Sequence, residues 1–352
     1  MSMYEVMEET QVETVSLDGS SADYIVLLPQ GVLFAGKKNY EINLCGAAMR
    51  SWVERACDKK PAVAELETDE EMFDTIRPML KNGTYTVVLF ADTPLITKKS
   101  VGEMLELAEN QNANVLRFER AYVFKTEELK KQNLFASKTQ ELAKNEFLRV
   151  NSIDMLEKAQ KILQNRIIKF HMANGAYFAS PSCTYVDCLA TIEPGAVIEP
   201  FVKIEGNSLI GANAKICSNT IISFSKIEER AIIKNGCNII GSYVADSAIV
   251  GNNTCVMNKS VAGEETIVSA GCVLDNSSLN KNCKVGVGAH LVNTKVASNV
   301  NIGAGVKCLG SDVFDVKINS GASVGAGAVL GCGANIKQDA VVPELASVKG
   351  KE

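Results

Sequence analysis

Two side chains in this 352-residue sequence, His171 and His290, can exchange a proton near neutral pH without special tuning. His171 falls within an amphipathic segment and reads as a structural residue. His290 falls at a corner of a repeat, where an imidazole can serve as a general base. The eleven cysteines are odd in number and none is part of a CxxC pair, so no thiolate metal knot or dithiol redox centre is spelled out. So many unpaired thiols point to a reducing, cytoplasmic setting. Cys255, Cys272, Cys283 and Cys308 fall where the repeat wants a small inward-facing residue.

The elements that must position His290 announce themselves by period. Val186, Ile192, Ile198, Ile204, Ile210, Ile216 and Ile222 are aliphatic at every sixth position. The spacing wavers between Phe224 and Val244, where a loop or bulge is expected. It resumes at Ile249, Cys255, Val261, Ile267, Val273, Leu279, Val285 and Leu291, and continues after slips to Val348. Four residues after many of these comes something small: Ala196, Ser208, Ala214, Thr220, Ala289, Ala322, Ala328, Ala334 or Ala340. A period of six fits neither helix nor simple strand alternation. It predicts a left-handed parallel β-helix whose triangular coils stack like residues on like, about nine coils rising roughly 4.8 Å each. Gly195, Asn213, Asn219, Gly303 and Gly325 are expected at its corners.

Upstream the pattern changes. DYIVLLP and YTVVLFAD read as buried strands, SVGEMLELAENQ as a helix, NVLRF and AYVF as strands, and TEELKK as a second helix. The order suggests an α/β, Rossmann-like domain with a mostly parallel sheet. Leu156, Ala159, Leu163, Ile167 and Phe170 then step along one face of a connecting helix ended by Gly175. The expected organisation is an acidic flexible tail over 1–22, an α/β domain over 23–150, a linker helix over 151–175 and the β-helix over 176–352.

Composition narrows the function classes. Hydrophobic residues make up 46%, charged ones 22%, and the net charge is −5, so neither nucleic acid nor an anionic membrane is an expected partner. No apolar run reaches the length of a membrane span. Flat β-helix faces favour closure with copies of the same chain, and a homotrimer is expected.

Three stretches carry a resemblance. VNSIDMLEKAQKILQNRIIKFHMANGAYFASPSCTYVD, VVLFADTPLIT and HLVNTKVASNVNIGAG resemble segments of the bacterial bifunctional N-acetylglucosamine-1-phosphate uridylyltransferase / glucosamine-1-phosphate acetyltransferase (GlmU) family. The resemblance implies a nucleotidyltransferase-like half and a trimeric acyltransferase half. Together they would serve UDP-N-acetylglucosamine biosynthesis, with acetyl-CoA and Mg²⁺ as cofactors and a phosphosugar or nucleotide as substrate. It places Asp92 and Asn151 where the family holds the metal, and His290 where the family has its acetyltransferase base. Lys259 and Asp312 fall near the family's phosphosugar contacts.

The departures are equally specific. LLPQGVLFAGKKNYEI replaces the family's glycine-rich phosphate loop, AELETDEEMF is acidic where uracil would be read, and Arg120 stands where the sugar loop has glycine. Uridylyl transfer is therefore expected to be lost, and this half reads as a shortened nucleotidyltransferase-like domain. The phosphosugar helpers around His290 are thinned too. The alternative to an acetyl-transferring enzyme is a non-catalytic trimeric scaffold or regulatory relative. A β-helix zinc hydratase is excluded, since it needs three histidine ligands and the coils offer one.

Overall fold

The computed structural model describes residues 22–32, 36–131, 138–139 and 145–350; the expected tail lies, but for Ala22, outside them. The chain divides into two compact units, and the division falls between Gln164 and Asn165.

The first unit is built on β1 (Ala22–Pro29), the short pair β2 (Asn43–Leu44) and β3 (Ala47–Ala48), β4 (Ala62–Leu66), β5 (Tyr85–Phe90), β6 (Val115–Phe118), β7 (Ala121–Lys125) and β8 (Lys138–Thr139). Its helices are α1 (Met49–Glu54), α2 (Met72–Ile76), α3 (Lys98–Asn110), α4 (Thr126–Lys130) and the start of α5 (Ile153–Ala173). The main sheet runs β4-β1-β5-β7-β6-β8. Strand alternation makes three layers. Tyr24, Val26, Leu28, Val87 and Leu89 face α3 through Val101, Met104 and Ala108. Ile25, Leu27, Val88 and Phe90 face the other way, onto Met72, Ile76 and Leu129. Thr97 caps α3, its hydroxyl accepting from the Ser100 N–H at 3.1 Å.

The sheet is mixed: β4–β1, β1–β5 and β6–β8 pair parallel, whereas β5–β7 and β6–β7 are antiparallel. Only Glu119 and Arg120 join β6 to β7, and a two-residue link can close only a hairpin. Strand β4, which runs into the stretch read as merely acidic, was not anticipated; its outward residues conceal an edge strand.

The second unit is the left-handed parallel β-helix, with three parallel sheets of ten, nine and ten strands. Val186, Ile204, Ile222, Ile239, Val256, Leu274, Leu291, Cys308 and Leu330 form one inward column, each fully or almost fully buried. Between Phe224 and Val244 there is no loop: strands Ile221–Ser223, Lys226–Ile227, Ile232–Ile233 and Asn238–Ile240 pair without interruption. The corner there is one residue shorter, with Phe224 and Ser225 doing what Gly206, Asn207 and Ser208 do a coil earlier.

After that shortening the inward register is Val250, Val256, Ala262, Val268 and Leu274, not Ile249, Cys255, Val261, Ile267 and Val273. Both positions of each pair are apolar, so period alone does not choose between them. The buried Thr254, Ser260, Thr266 and Cys272, four residues on, do. Cys255 consequently faces outward. Gly303 and Gly325 do not turn corners: a Cβ on either would meet the next coil's backbone nitrogen at 2.5 and 2.4 Å, so they allow close stacking.

Candidate functional site

His290 opens the strand His290–Val292, and its side chain is exposed. The register sets Val273 one coil before it and Lys307 one coil after. The 17-residue step from His290 to Lys307 is one coil, which brings that lysine to about 4.8 Å along the axis. Sequence reading passed over Lys307; once the coil length is fixed at 17 in this stretch, the spacing identifies it.

The corner that leads into this strand is bare. Gly271, Gly288 and Gly305 stack on one another with φ of 66°, 68° and 68°, and a Cβ on any of them would meet nothing within 4 Å. Three coils of open backbone therefore run alongside His290, with the half-exposed Val287 on their flank. A proton acceptor beside an unobstructed backbone edge suits an extended thioester ligand approaching the imidazole.

Lys259 and Asp312 lie at the opposite edge of the same sheet. Lys259 turns the corner after Cys255–Met257, at φ 63°, two coils before His290. Asp312 belongs to the inserted segment between Lys307–Leu309 and Val316–Ile318, one coil after His290. Three coils separate the two, about 14 Å along the axis. Asp312 instead ends a side-chain ladder up that corner: Asn276 Nδ2 donates to Asn293 Oδ1 at 2.6 Å, and Asn293 Nδ2 donates to Asp312 Oδ1 at 3.4 Å. Among the described residues no hydrogen bond or ion pair joins His290, Lys259 and Asp312.

In the first unit, Asp92 follows β5 at the carboxyl edge of the sheet, the usual place for a ligand crevice. The Val150 N–H donates to the Asp92 carbonyl at 2.8 Å, which brings Asn151 into the same neighbourhood with its side chain exposed. The Asp92 carboxylate is spoken for. Arg120 grips it through Nε at 3.3 Å and Nη2 at 3.1 Å, and Arg149 Nε donates to it at 3.0 Å. Asp92 is 2% exposed, so these charges meet away from water. A buried carboxylate whose charge is already offset by two guanidiniums, and three of whose lone pairs are taken, is a poor ligand for Mg²⁺, and the donor set does not fit that ion. No group of three or more His, Cys, Asp or Glu suited to a metal occurs among the described residues.

His171 is fully buried in α5, and neither ring nitrogen has a hydrogen-bond partner among the described residues. Burial pushes its pKa down to about 4, so it is neutral when folded and cannot reach solvent to act as a base.

No family model matches the chain. In sequence it is similar to bifunctional GlmU proteins. It is 40% identical over 106 residues to that of Pediococcus pentosaceus, covering 27% of this chain and 22% of the relative. It is 40% identical over 90 residues to that of Listeria welshimeri, covering 26% and 20%. It is 33% identical over 148 residues to that of Clostridioides difficile, covering 42% and 31%. The matched stretches span between a fifth and a third of those relatives' length. Among solved structures it is similar to the UDP-N-acetylglucosamine acyltransferase of Francisella novicida, at 20% identity and a TM-score of 0.23, covering 48% of this chain and 66% of that one. No helix among the described residues is long and apolar enough to cross a membrane.

Proposed function

We propose that this protein is a divergent, shortened relative of the bifunctional enzyme, whose β-helix half transfers an acetyl group to the amine of an amino-sugar phosphate. Glucosamine-1-phosphate is the substrate the resemblance names. The single observation that carries the reading is His290 set beside the open edge of Gly271, Gly288 and Gly305.

Acetyl-CoA, when bound, supplies an activated thioester; the glycine edge would hold it, with Val287 against its apolar part. His290 takes the proton that the sugar ammonium must lose before its nitrogen becomes nucleophilic. Lys307, one coil on, supplies a positive charge for the sugar phosphate, the part first assigned to Lys259 from sequence. Lys259 and Asp312 belong to the far edge of the sheet and would contribute only across a junction with another copy. A homotrimer in the cytoplasm fits this requirement.

Uridylyl transfer is not part of the proposal, because Asp92, the carboxylate that would hold its metal, is already paired with Arg120 and Arg149. That observation also favours a second reading, in which the chain is a trimeric scaffold or regulatory subunit.

The two readings separate in a thermal-shift panel on the full chain with acetyl-CoA, glucosamine-1-phosphate, N-acetylglucosamine-1-phosphate and UTP. Upward shifts with acetyl-CoA and glucosamine-1-phosphate, each reduced by Lys307→Ala or by filling the edge with Gly288→Asn, support the enzyme. No shift with any of the four leaves the scaffold. Sedimentation as a monomer at micromolar concentration would sink the trimer.

A further inference from the structure

Arg120 lies in the two-residue turn between β6 and β7, and its guanidinium does more than neutralise Asp92. Its Nη1 also donates to Asp69 Oδ2 at 2.8 Å, while Nη2 and Nε hold Asp92. Asp69, which follows β4, and Asp92, which follows β5, thus reach one positive centre from opposite sides. The guanidinium carbon sits 4.1 Å from the centroid of the Phe90 ring, which covers one face of the cation. The Arg120 side chain is 10% exposed.

Mg²⁺ binds proteins through one or two carboxylates, and here the buried Asp92 and the 57% exposed Asp69 meet on a guanidinium instead. We infer that Arg120 takes the place of such an ion between Asp69 and Asp92, so that the first unit carries a tethered cation and works without a metal. The inference goes beyond the acetyl-transfer reading and does not depend on it. Chemically the exchange matters. A guanidinium can bind an anion but has no exchangeable coordination site and polarises a phosphoryl oxygen far less than Mg²⁺ does. The carboxylates that would recruit the ion are consumed in holding the arginine. The chemistry left to this crevice is charge pairing, with the half-exposed Arg149, which bonds Asp92 through Nε, as a further donor.

The test is Mn²⁺ binding to the full chain, read by electron paramagnetic resonance and by melting temperature in EDTA and in Mn²⁺. The wild type is expected to leave the free Mn²⁺ signal unchanged and to melt at the same temperature in both. Arg120→Ala exposes two facing carboxylates. It is expected to melt several degrees lower in EDTA, to recover in Mn²⁺, and to reduce the free Mn²⁺ signal. Asp92→Asn in the same chain should cancel both the loss and the recovery. If Arg120→Ala alone fails to fold while the double variant folds, charge compensation is the role of Arg120 and the inference stands. If neither folds, Arg120 is needed for shape and the inference falls. It falls equally if wild-type protein binds Mn²⁺ in a manner removed by Asp92→Asn, or if Arg120→Ala folds and is indifferent to Mn²⁺.

Discussion

The ring of Phe224 lies directly over Gly206, one coil earlier: a Cβ on Gly206 would stand 2.5 Å from the Phe224 Cε1 atom. Both residues hold a left-handed backbone, with φ of 64° and 47°, and the phenylalanine is 66% exposed. The turn that shortens the coil is thus made by a residue poorly suited to it and accommodated by one without a side chain. Gly206→Ala is expected to cost about 1–2 kcal/mol for the backbone alone, and more as the ring is displaced. Phe224→Asn, which suits the left-handed region, should be neutral or mildly stabilising. Urea denaturation of the two variants checks the pair; a tolerated alanine with a damaging asparagine would show that the ring contact is itself stabilising.

His171 predicts a pH dependence. Its folded pKa of about 4 lies below the ordinary value of 6.5 because burial disfavours the charged form. The unfolded chain therefore binds a proton that the folded chain refuses. The stability tied to this neutral histidine is complete above pH 6.5 and is lost as pH falls toward 4, by up to about 3 kcal/mol. Replacing His171 with leucine should flatten that part of the stability profile in chemical denaturation. An unchanged slope would mean that the imidazole finds a partner or water when protonated.

Thiol labelling should be sharply selective. Cys183 is exposed, and hydrogen bonds from Ser180 and Ser182 hold its pKa below the ordinary thiol value. Burial pushes Cys57 and Cys308 up to about 12 and Cys237 up to about 11. Native protein treated with iodoacetamide at neutral pH should be modified first at Cys183, with these three protected until denaturant is added. Mass spectrometry of the digested protein reads the order directly, and early modification of Cys308 would show that the coils open.

Much of this was legible in the sequence, and the exceptions have physical causes. The hexapeptide period identified the β-helix because every coil must bury the same kinds of residue. It misplaced Ile249, Cys255, Val261, Ile267 and Val273 by one position because Val250, Val256, Ala262, Val268 and Leu274 are also apolar; only the small residues such as Thr254 and Thr266 break the tie. From sequence Asp92 is expected to hold a metal with Asn151, whereas the structure sets its carboxylate against Arg120 and Arg149. Its partner was visible only as an arginine where a glycine was expected, and Asp69 was unremarkable within an acidic run. Their meeting depends on strand order, which no local pattern records. Lys307 was missed because its relation to His290 exists only once the coil is counted.

The claim at the centre of this account is that His290 is a base for acetyl transfer. The direct measurement is release of free coenzyme A from acetyl-CoA by the purified full chain with glucosamine-1-phosphate, for wild type and His290→Ala. Turnover that depends on the amino sugar and falls about a hundredfold or more in His290→Ala is the predicted result. Turnover that the substitution leaves unchanged, or no turnover by the wild type at all, would contradict it.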